Sequence, residues 1–243
     1  MALGIASTTK SIDTRTILIG MVLVFLIVHT GFGITYFQYF PDFQQFTYIH
    51  HIHGALMGAW VMLLVAQPFL VHYKKLSIHR VLGKMSWLLA PAIIISMILV
   101  ARLNYQAGIK VNSSIEVFAK QSITWTQILL FVLFYGLAMV YRKQTFQHLR
   151  FIVGTAILML GPPLGRIILN CWGPFSIPYF AILPLVIKTL IAALLWTLDI
   201  YRKRDGRPNF IVLLAFLFAD LVYYFRFSEA WQAFGRLVIN ILY

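Results

Sequence analysis

Histidines lie at the ends of the apolar segments of this chain, where their side chains could bind a metal-containing cofactor. Three histidines within positions 50–53 begin one long apolar run, and His72 ends it. His79 begins the next run, His148 begins a later one, and His29 lies inside the first. An imidazole at the edge of a hydrocarbon layer is costly without a partner. Each of these histidines is therefore a candidate functional group.

The type and spacing of two histidines predict a haem site. Two neutral imidazoles on facing helices at the same depth can hold a haem iron, and nearby cations would offset the propionate charges. His79 is followed directly by Arg80, and His148 is followed two residues later by Arg150. We therefore predict haem b with His79 and His148 as iron ligands and the two arginines near the propionates.

A second, outer pair of ligands could be formed by His53 and His29, which lie at a similar predicted depth. The alternative for any of these histidines is a hydrogen bond to a lipid headgroup, to water or to a backbone carbonyl. For His50, His51 and His72 this alternative is the preferred interpretation.

Charged side chains inside the apolar runs are a separate feature. Lys188 lies near the middle of the sixth run and Asp220 near the middle of the seventh. An unpaired charge there costs roughly 3 kcal/mol, so we predict that the two form an intramembrane ion pair. Such a pair either has a structural role or lines a proton or ion path. Arg166 is expected to face the outer water layer or a headgroup, or alternatively to bind a propionate or an anionic substrate.

The composition defines the elements that must position these groups. The chain has 243 residues, of which 60% are hydrophobic and only 11% charged, whereas a soluble domain carries about a quarter charged residues. A single cysteine excludes an internal disulfide, a thiolate zinc site and a cysteine-ligated iron–sulfur cluster. The net charge of +13 is concentrated in short loops between apolar runs. This distribution argues against nucleic-acid binding and is typical of membrane proteins.

Seven apolar runs have the length of about 20 residues that a helix needs to cross a bilayer. They predict an all-α, polytopic transmembrane helix bundle that forms one integral membrane domain over residues 1–243. The runs cover approximately residues 16–36, 48–71, 81–103, 122–141, 149–169, 178–200 and 209–224. The residues after 224 predict a short interfacial helix. Gly161-Pro162-Pro163 predicts a distortion of the fifth run, which could be either a break or a bend in the helix.

The basic residues predict the orientation of the bundle. They concentrate in the N-terminal segment and in the loops after the second, fourth and sixth runs. By the positive-inside rule, the N-terminus is expected in the cytoplasm and the C-terminus outside.

Several motifs resemble those of a group of uncharacterised bacterial multi-span membrane proteins. The shared features are a His-Gly, a His-Arg-x-Leu-Gly and a His-x-Arg entry to three helices. In this chain they occur within HIHGALMGAW, LSIHRVLGKMSW and FQHLRFIVGTAILMLGPPLGR. The match covers about residues 48–166 and implies the bacterial cytoplasmic (inner) membrane, but it implies no activity.

The chain is more weakly similar to the cytochrome b-561 group of dihaem membrane proteins. His53, with Leu56 and Met57, matches the histidine that opens one helix of that group. His79 and His148 match the pair on alternate helices that holds one haem. The fourth run contains no histidine, so the second haem would need His29 as a substitute ligand.

These features predict one of three functions for a protein embedded in the lipid bilayer. The first is electron transfer within or across the membrane by a b-type haem protein, with a quinone or a redox protein as partner. The second is a non-redox transporter or channel with a polar path through Lys188 and Asp220. The third is a membrane assembly or scaffold protein whose histidines are interfacial.

Overall fold

A computed structural model describes residues 13–176 and 179–242 of the chain. Over these residues the protein has nine α-helices, two short 3-10 turns and no β-strand. The helices are α1 (Thr14–Gly33), α2 (Tyr48–His72), α3 (Leu76–Gly108), α4 (Ser114–Val140), α5 (Thr145–Leu158), α6 (Gly161–Trp172), α7 (Ile182–Tyr201), α8 (Arg207–Tyr224) and α9 (Glu229–Leu242). The 3-10 turns are Phe37–Tyr39 and Gly173–Ser176.

Seven segments of the described chain are helical, long and apolar enough to cross a membrane, with α5, α6 and the turn after them forming one span, Thr145–Phe175. This confirms the predicted helical bundle and makes the chain an integral membrane protein. Some helices extend beyond the predicted apolar runs because their polar ends are also helical. α4 starts early because Ser113 and Glu116 cap it reciprocally: the Glu116 N–H donates to the Ser113 hydroxyl at 3.3 Å, and the Glu116 carboxylate accepts the Ser113 N–H at 3.1 Å.

The fifth span is broken rather than bent. α5 ends at Leu158, and α6 begins at Gly161. Pro162 and Pro163 have no N–H, so the carbonyls of Leu158 and Met159 lose the donors that an unbroken helix would supply four residues later. The two prolines therefore interrupt the helix just ahead of themselves and leave acceptor groups at the break.

The broken span lies in the middle of the bundle. Half of its apolar window is buried, whereas the other six spans bury 17–33% of theirs. α1 packs against α6 so closely that a Cβ added to Gly31 would lie 2.6 Å from the backbone of Pro163. α5 packs against α4, α7 and α8, and α6 also contacts α7. Side chains on the inner faces of α5 and α6 are thus shielded from lipid.

The predicted terminal helix is present as α9, which is attached to the start of α4. The Trp231 indole N–H donates to the Phe118 carbonyl at 2.7 Å, and the Gln232 amide donates to the Ile115 carbonyl at 3.2 Å. Its location at a membrane surface stays a prediction. At the end of α6, the single cysteine, Cys171, is exposed.

Candidate functional site: charged groups around the broken helix

A buried ammonium lies at the break of the fifth span. Lys188, on α7, is only 2% exposed. Its Nζ lies 5.6 Å from the centre of the Phe216 ring on α8. A Cβ added to Gly161 would lie 3.4 Å from this Nζ and 2.8 Å from the Gln127 amide nitrogen. The first residue of α6 is therefore a glycine beside two polar side chains. We refer to Lys188, Asp220, Thr189 and Gln127 as the polar centre.

Asp220, on α8, supplies the negative charge of the polar centre. The Thr189 hydroxyl donates to Asp220 Oδ2 at 2.6 Å, while Oδ1 is buried and has no hydrogen-bond partner among the described residues. Asp220 and Lys188 interact electrostatically, but the described part of the chain has no salt bridge between them. The structure thus brings the predicted partners together as neighbours and not in direct contact.

The ends of the two half-helices add to the field at the polar centre. The C-terminal end of α5 carries partial negative charge, to which the carbonyls left without donors at the break contribute. The N-terminal end of α6, which begins at Gly161, carries the opposite, partial positive charge, so a cation at the break is favoured only on the side of α5. Discontinuous membrane helices commonly bind ions or substrates at such breaks.

A closed ion pair joins α5 to α7. Arg150 Nε donates to Asp199 Oδ2 at 2.9 Å, and Arg150 Nη2 donates to Asp199 Oδ1. The Asn209 amide donates to Asp199 Oδ2 at 2.6 Å. Asp199 is 2% exposed, and the Arg150 guanidinium also stacks on Phe146 at 4.5 Å. The charge of Arg150 is thus already compensated, and its predicted role at a haem propionate would require this pair to open.

The predicted haem ligands His79 and His148 lie close enough to interact electrostatically. His148 Nδ1 donates to the Ala138 carbonyl at 2.8 Å, which leaves Nε2 without a proton, as a metal ligand needs. Arg80, the predicted propionate partner beside His79, is exposed.

The surroundings of His79 fit a haem less well. When the Gln67 amide nitrogen faces the His79 ring, it donates to His79 Nδ1 and to the His79 carbonyl, the latter at 3.3 Å. The Gln67 amide oxygen then accepts the Gly83 N–H at 3.2 Å. In this arrangement His79 carries its proton on Nε2, which then cannot bind iron. His148 therefore fits the role of a haem ligand as it stands. His79 fits that role only if the Gln67 amide rotates so that its oxygen faces the His79 ring.

The other predicted ligand pair is held by separate contacts. His53 Nδ1 donates to the Ser96 hydroxyl at 3.0 Å, and that hydroxyl donates to the Ile93 carbonyl at 2.7 Å. His29 Nδ1 donates to the Phe25 carbonyl at 2.8 Å and stacks on the Phe25 ring at 3.9 Å. No hydrogen bond or ring contact joins His29 to His53 within residues 13–176 and 179–242. A second haem between them stays a prediction.

The three remaining histidines make contacts at helix ends. His50 caps α2 through the Thr47 N–H at 3.2 Å, His51 Nδ1 contacts the Tyr36 hydroxyl, and His72 Nδ1 contacts the Thr14 hydroxyl at 3.0 Å. All three contacts are to other protein groups, so the predicted hydrogen bonds to a lipid headgroup, to water or to a backbone carbonyl stay a prediction. No group of three or more His, Cys, Asp or Glu side chains in the described chain could hold a metal ion.

Arg166 is a cation without an acidic partner among the described residues. Its Nη1 donates to the Pro162 carbonyl at 3.1 Å, and its guanidinium stacks on Phe32 of α1 at 4.4 Å. Arg166 also interacts electrostatically with His53 of α2. The arginine expected at the outer end of the fifth span is therefore partly buried, and among the described residues its side chain donates only the hydrogen bond to Pro162.

Comparison of the chain with protein-family models, with curated proteins and with solved structures found no match. Both family resemblances therefore stay predictions. The functional argument depends on the charged groups around α5 and α6.

Proposed function

We propose that this chain is a non-redox transporter of the bacterial cytoplasmic membrane that moves a proton or small ion through the polar centre. One observation carries the proposal. A buried ammonium and a carboxylate with an unpartnered oxygen lie beside each other, without a salt bridge, where the central helix is broken. These are the features expected of a site that binds and releases a charge.

Two buried acid–base groupings in the described part of the chain differ in a way that supports the proposal. Asp199 accepts three hydrogen bonds and contacts Arg150 directly, as a structural pair should. Asp220 leaves one oxygen unpaired, and Lys188 does not reach it. An incompletely compensated charge at this depth costs roughly 3 kcal/mol. A structural role alone does not explain that cost. A site that binds and releases an ion, in contrast, requires charged groups that are not already paired with each other.

The charged groups also follow the broken span across the membrane. Arg150 lies eleven residues before Gly161, or about 16 Å at 1.5 Å per residue, and Arg166 lies five residues after it, or about 7 Å. The break allows α6 to move as a unit relative to α5, because no continuous helical hydrogen bonding couples them. We infer that movement of α6 opens the polar centre to one side of the membrane at a time.

Flux measurements on purified protein in liposomes test this function. The wild type should carry H⁺, Na⁺, K⁺ or Cl⁻ under an imposed gradient, and Lys188→Met and Asp220→Asn should abolish that flux. Lys110→Met is the matched control because Lys110 is exposed, and its flux should equal that of the wild type. Thermal unfolding of each variant shows that the fold survives. Normal flux in both polar-centre variants, or none in the folded wild type, would refute the proposal.

A second variant perturbs the polar centre without removing a charge. In Gly161→Ala the new methyl group enters the space between the flexible ends of Gln127 and Lys188. These ends can yield, so we expect a fold of normal stability with severalfold lower flux. Gly136→Ala is the control, since a Cβ at Gly136 meets nothing within 4 Å. Equal flux in the two alanine variants would show that the position of Lys188 does not matter.

Haem-dependent electron transfer remains a second candidate, favoured by the unprotonated Nε2 of His148 and its nearness to His79. His79 and His148 would hold a haem b that exchanges electrons with a quinone or a redox protein. Protein from haem-supplied cells should then show a Soret band and a sharp reduced α-band, lost in His79→Ala and in His148→Ala. Gln67→Glu should strengthen binding, because a carboxylate can only accept the His79 Nδ1 proton. A folded, colourless and iron-free preparation would exclude this candidate.

A further inference from the structure

Two nitrogen donors of the polar centre meet beside a residue that has no side chain. A Cβ built on Gly161 would lie 2.8 Å from the Gln127 amide nitrogen and 3.4 Å from Lys188 Nζ. Any other residue at this position would place a carbon atom against both groups. The glycine thus leaves a small space that is bordered by an ammonium and by an amide NH₂ group.

Both donors are unused within the described part of the chain. No residue there accepts a hydrogen bond from the Gln127 amide or forms a salt bridge with Lys188. Lys188 is only 2% exposed, and its ammonium has three N–H donors that need acceptors. The Phe216 ring, whose centre lies 5.6 Å from Nζ, supplies a cation–π contact but no hydrogen bond. What this space lacks is therefore a group that accepts hydrogen bonds.

The start of α6 adds positive potential at the same place. The Cα–Cβ bonds of a helix tilt toward its N-terminal end, and Gly161 is the first residue of α6. The space beside Gly161 therefore lies at the end of α6 that carries partial positive charge. Groups from α4, α6 and α7 thus combine to favour an anion.

We propose that Lys188 and Gln127 bind a halide ion, such as chloride, in the space beside Gly161. Lysine offers a compact point charge, whereas arginine offers the planar fork that matches a carboxylate or a phosphate. The distances of 2.8 Å and 3.4 Å leave room for a single atom rather than for an oxyanion. Burial makes the removal of an ion from water costly, and this cost rises with charge, which favours a monovalent anion.

Asp220 gives the site a means of releasing the ion. The hydroxyl of Thr189, the residue next to Lys188, donates to Asp220 Oδ2 at 2.6 Å, while Oδ1 has no hydrogen-bond partner among the described residues. The carboxylate is thus held beside α7 near Lys188 but forms no salt bridge with it. It repels the bound halide and competes with it for the ammonium. The resulting weak binding suits a transported ion, which must leave the site again.

This inference deepens the proposed function, on which it rests for the movement of the ion. It makes the transported species an anion rather than a proton or a metal cation. Binding at Lys188 does not itself require transport, so binding and flux can be measured separately.

Broadening of the chloride NMR signal by the full chain in a non-ionic detergent measures binding. The net charge of +13 means that surface cations also attract chloride, and a matched surface variant sets that background. Lys188→Met should lose the broadening that Lys110→Met retains, since Lys110 is exposed. Bromide should displace the bound chloride, whereas sulfate at equal ionic strength should not.

Two further variants test the site while keeping the charge of Lys188. Gln127→Leu should weaken chloride binding about tenfold, because a hydrogen bond to a charged ligand is lost, whereas Gln144→Leu, at an exposed glutamine, should not. Gly161→Ala fills the space and should also weaken binding. Gly136→Ala, whose Cβ meets nothing within 4 Å, should bind chloride as the wild type does.

Asp220→Asn tests the release step with an effect of opposite sign. Loss of the negative charge should strengthen chloride binding severalfold, although the same variant should lose flux. Unchanged or weaker binding in Asp220→Asn would refute competition between the carboxylate and the halide.

Two results would overturn the site: equal broadening in Lys188→Met and Lys110→Met, or displacement of chloride by sulfate as effectively as by bromide. If Lys188→Met does not fold, unchanged binding in both Gln127→Leu and Gly161→Ala overturns it instead. Ion flux into liposomes, measured in parallel, separates the two proposals. Lys188-dependent chloride binding without wild-type flux of any ion refutes transport and leaves the site. Lys188-dependent cation flux without chloride binding refutes the site and leaves transport.

Discussion

The ion pair between Arg150 and Asp199 predicts a large loss of stability when one partner alone is removed. All three groups on the Asp199 carboxylate are donors: two N–H groups of Arg150 and one of Asn209. In Asp199→Asn one acceptor oxygen becomes a donor NH₂. The guanidinium then faces another donor and stays in place without a counter-charge.

The burial of the pair sets the expected magnitude. The side chains of Asp199 and Arg150 are 2% and 13% exposed, so water cannot replace the lost carboxylate. Breaking a buried pair in this way costs about 3–5 kcal/mol. For a chain of this size each kcal/mol lowers the unfolding midpoint by roughly 2–4 °C. We therefore expect Asp199→Asn to unfold about 6–20 °C below the wild type.

Thermal unfolding followed by tryptophan fluorescence in one detergent measures this difference. The matched control is Asp205→Asn, which breaks the exposed pair with Arg207, a residue that is 87% exposed. Its unfolding midpoint should lie close to that of the wild type, since surface pairs contribute little. The double variant Arg150→Met/Asp199→Leu should recover most of the lost stability, because no uncompensated charge remains.

One result would refute this reasoning. If Asp199→Asn unfolded at the same temperature as Asp205→Asn, Asp199 would not be compensating Arg150. The guanidinium would then be available to another anion, and the haem propionate assigned to it from the sequence would regain support.

Two further predictions concern helix packing and pH. Gly31→Ala should destabilise the protein by about 1–3 kcal/mol through overpacking, because its Cβ would lie 2.6 Å from the Pro163 backbone. Gly20→Ala in the same helix is the control: its Cβ meets nothing within 4 Å and should not destabilise the protein. The unfolding midpoints of the two variants test this difference. The Arg207 guanidinium lowers the pKa of Asp205 below its ordinary value of 3.8. This carboxylate therefore stabilises the folded state above that ordinary value, and the contribution is lost as pH falls through the lowered pKa. The midpoint difference between wild type and Asp205→Asn should be constant near neutral pH and shrink in acid, and a difference that grows on acidification would contradict it.

The bundle and a distortion of its fifth span could be predicted because their causes are local in the sequence. Apolar runs of sufficient length fix the spans, and Pro162-Pro163 fixes the distortion. The position of the break follows from the same chemistry, since each missing N–H acts on a carbonyl four residues earlier. The pairing of His79 and His148 as haem ligands, predicted from their common depth on alternate spans, stays a prediction.

The partners of the charged groups could not be predicted from local pattern. Arg150 and Asp199 are 49 residues apart, and nothing in either segment marks the other as its partner. The sequence therefore suggested Arg150 as a free counter-charge, although packing of α5 on α7 already supplies one. Gln67 lies between Ala66 and Pro68 in an apolar run, and only the three-dimensional fold brings its amide to the ring of His79.

Cys171 gives this protein a built-in reporter. It is the only thiol in the chain, it is exposed, and it lies in the last turn of α6, the half-helix that the break frees from α5. A single fluorophore or spin label can therefore be attached without first removing other cysteines. A membrane-impermeant maleimide applied to intact cells would establish which compartment this end of α6 faces. The same label would follow its displacement as ligand is added.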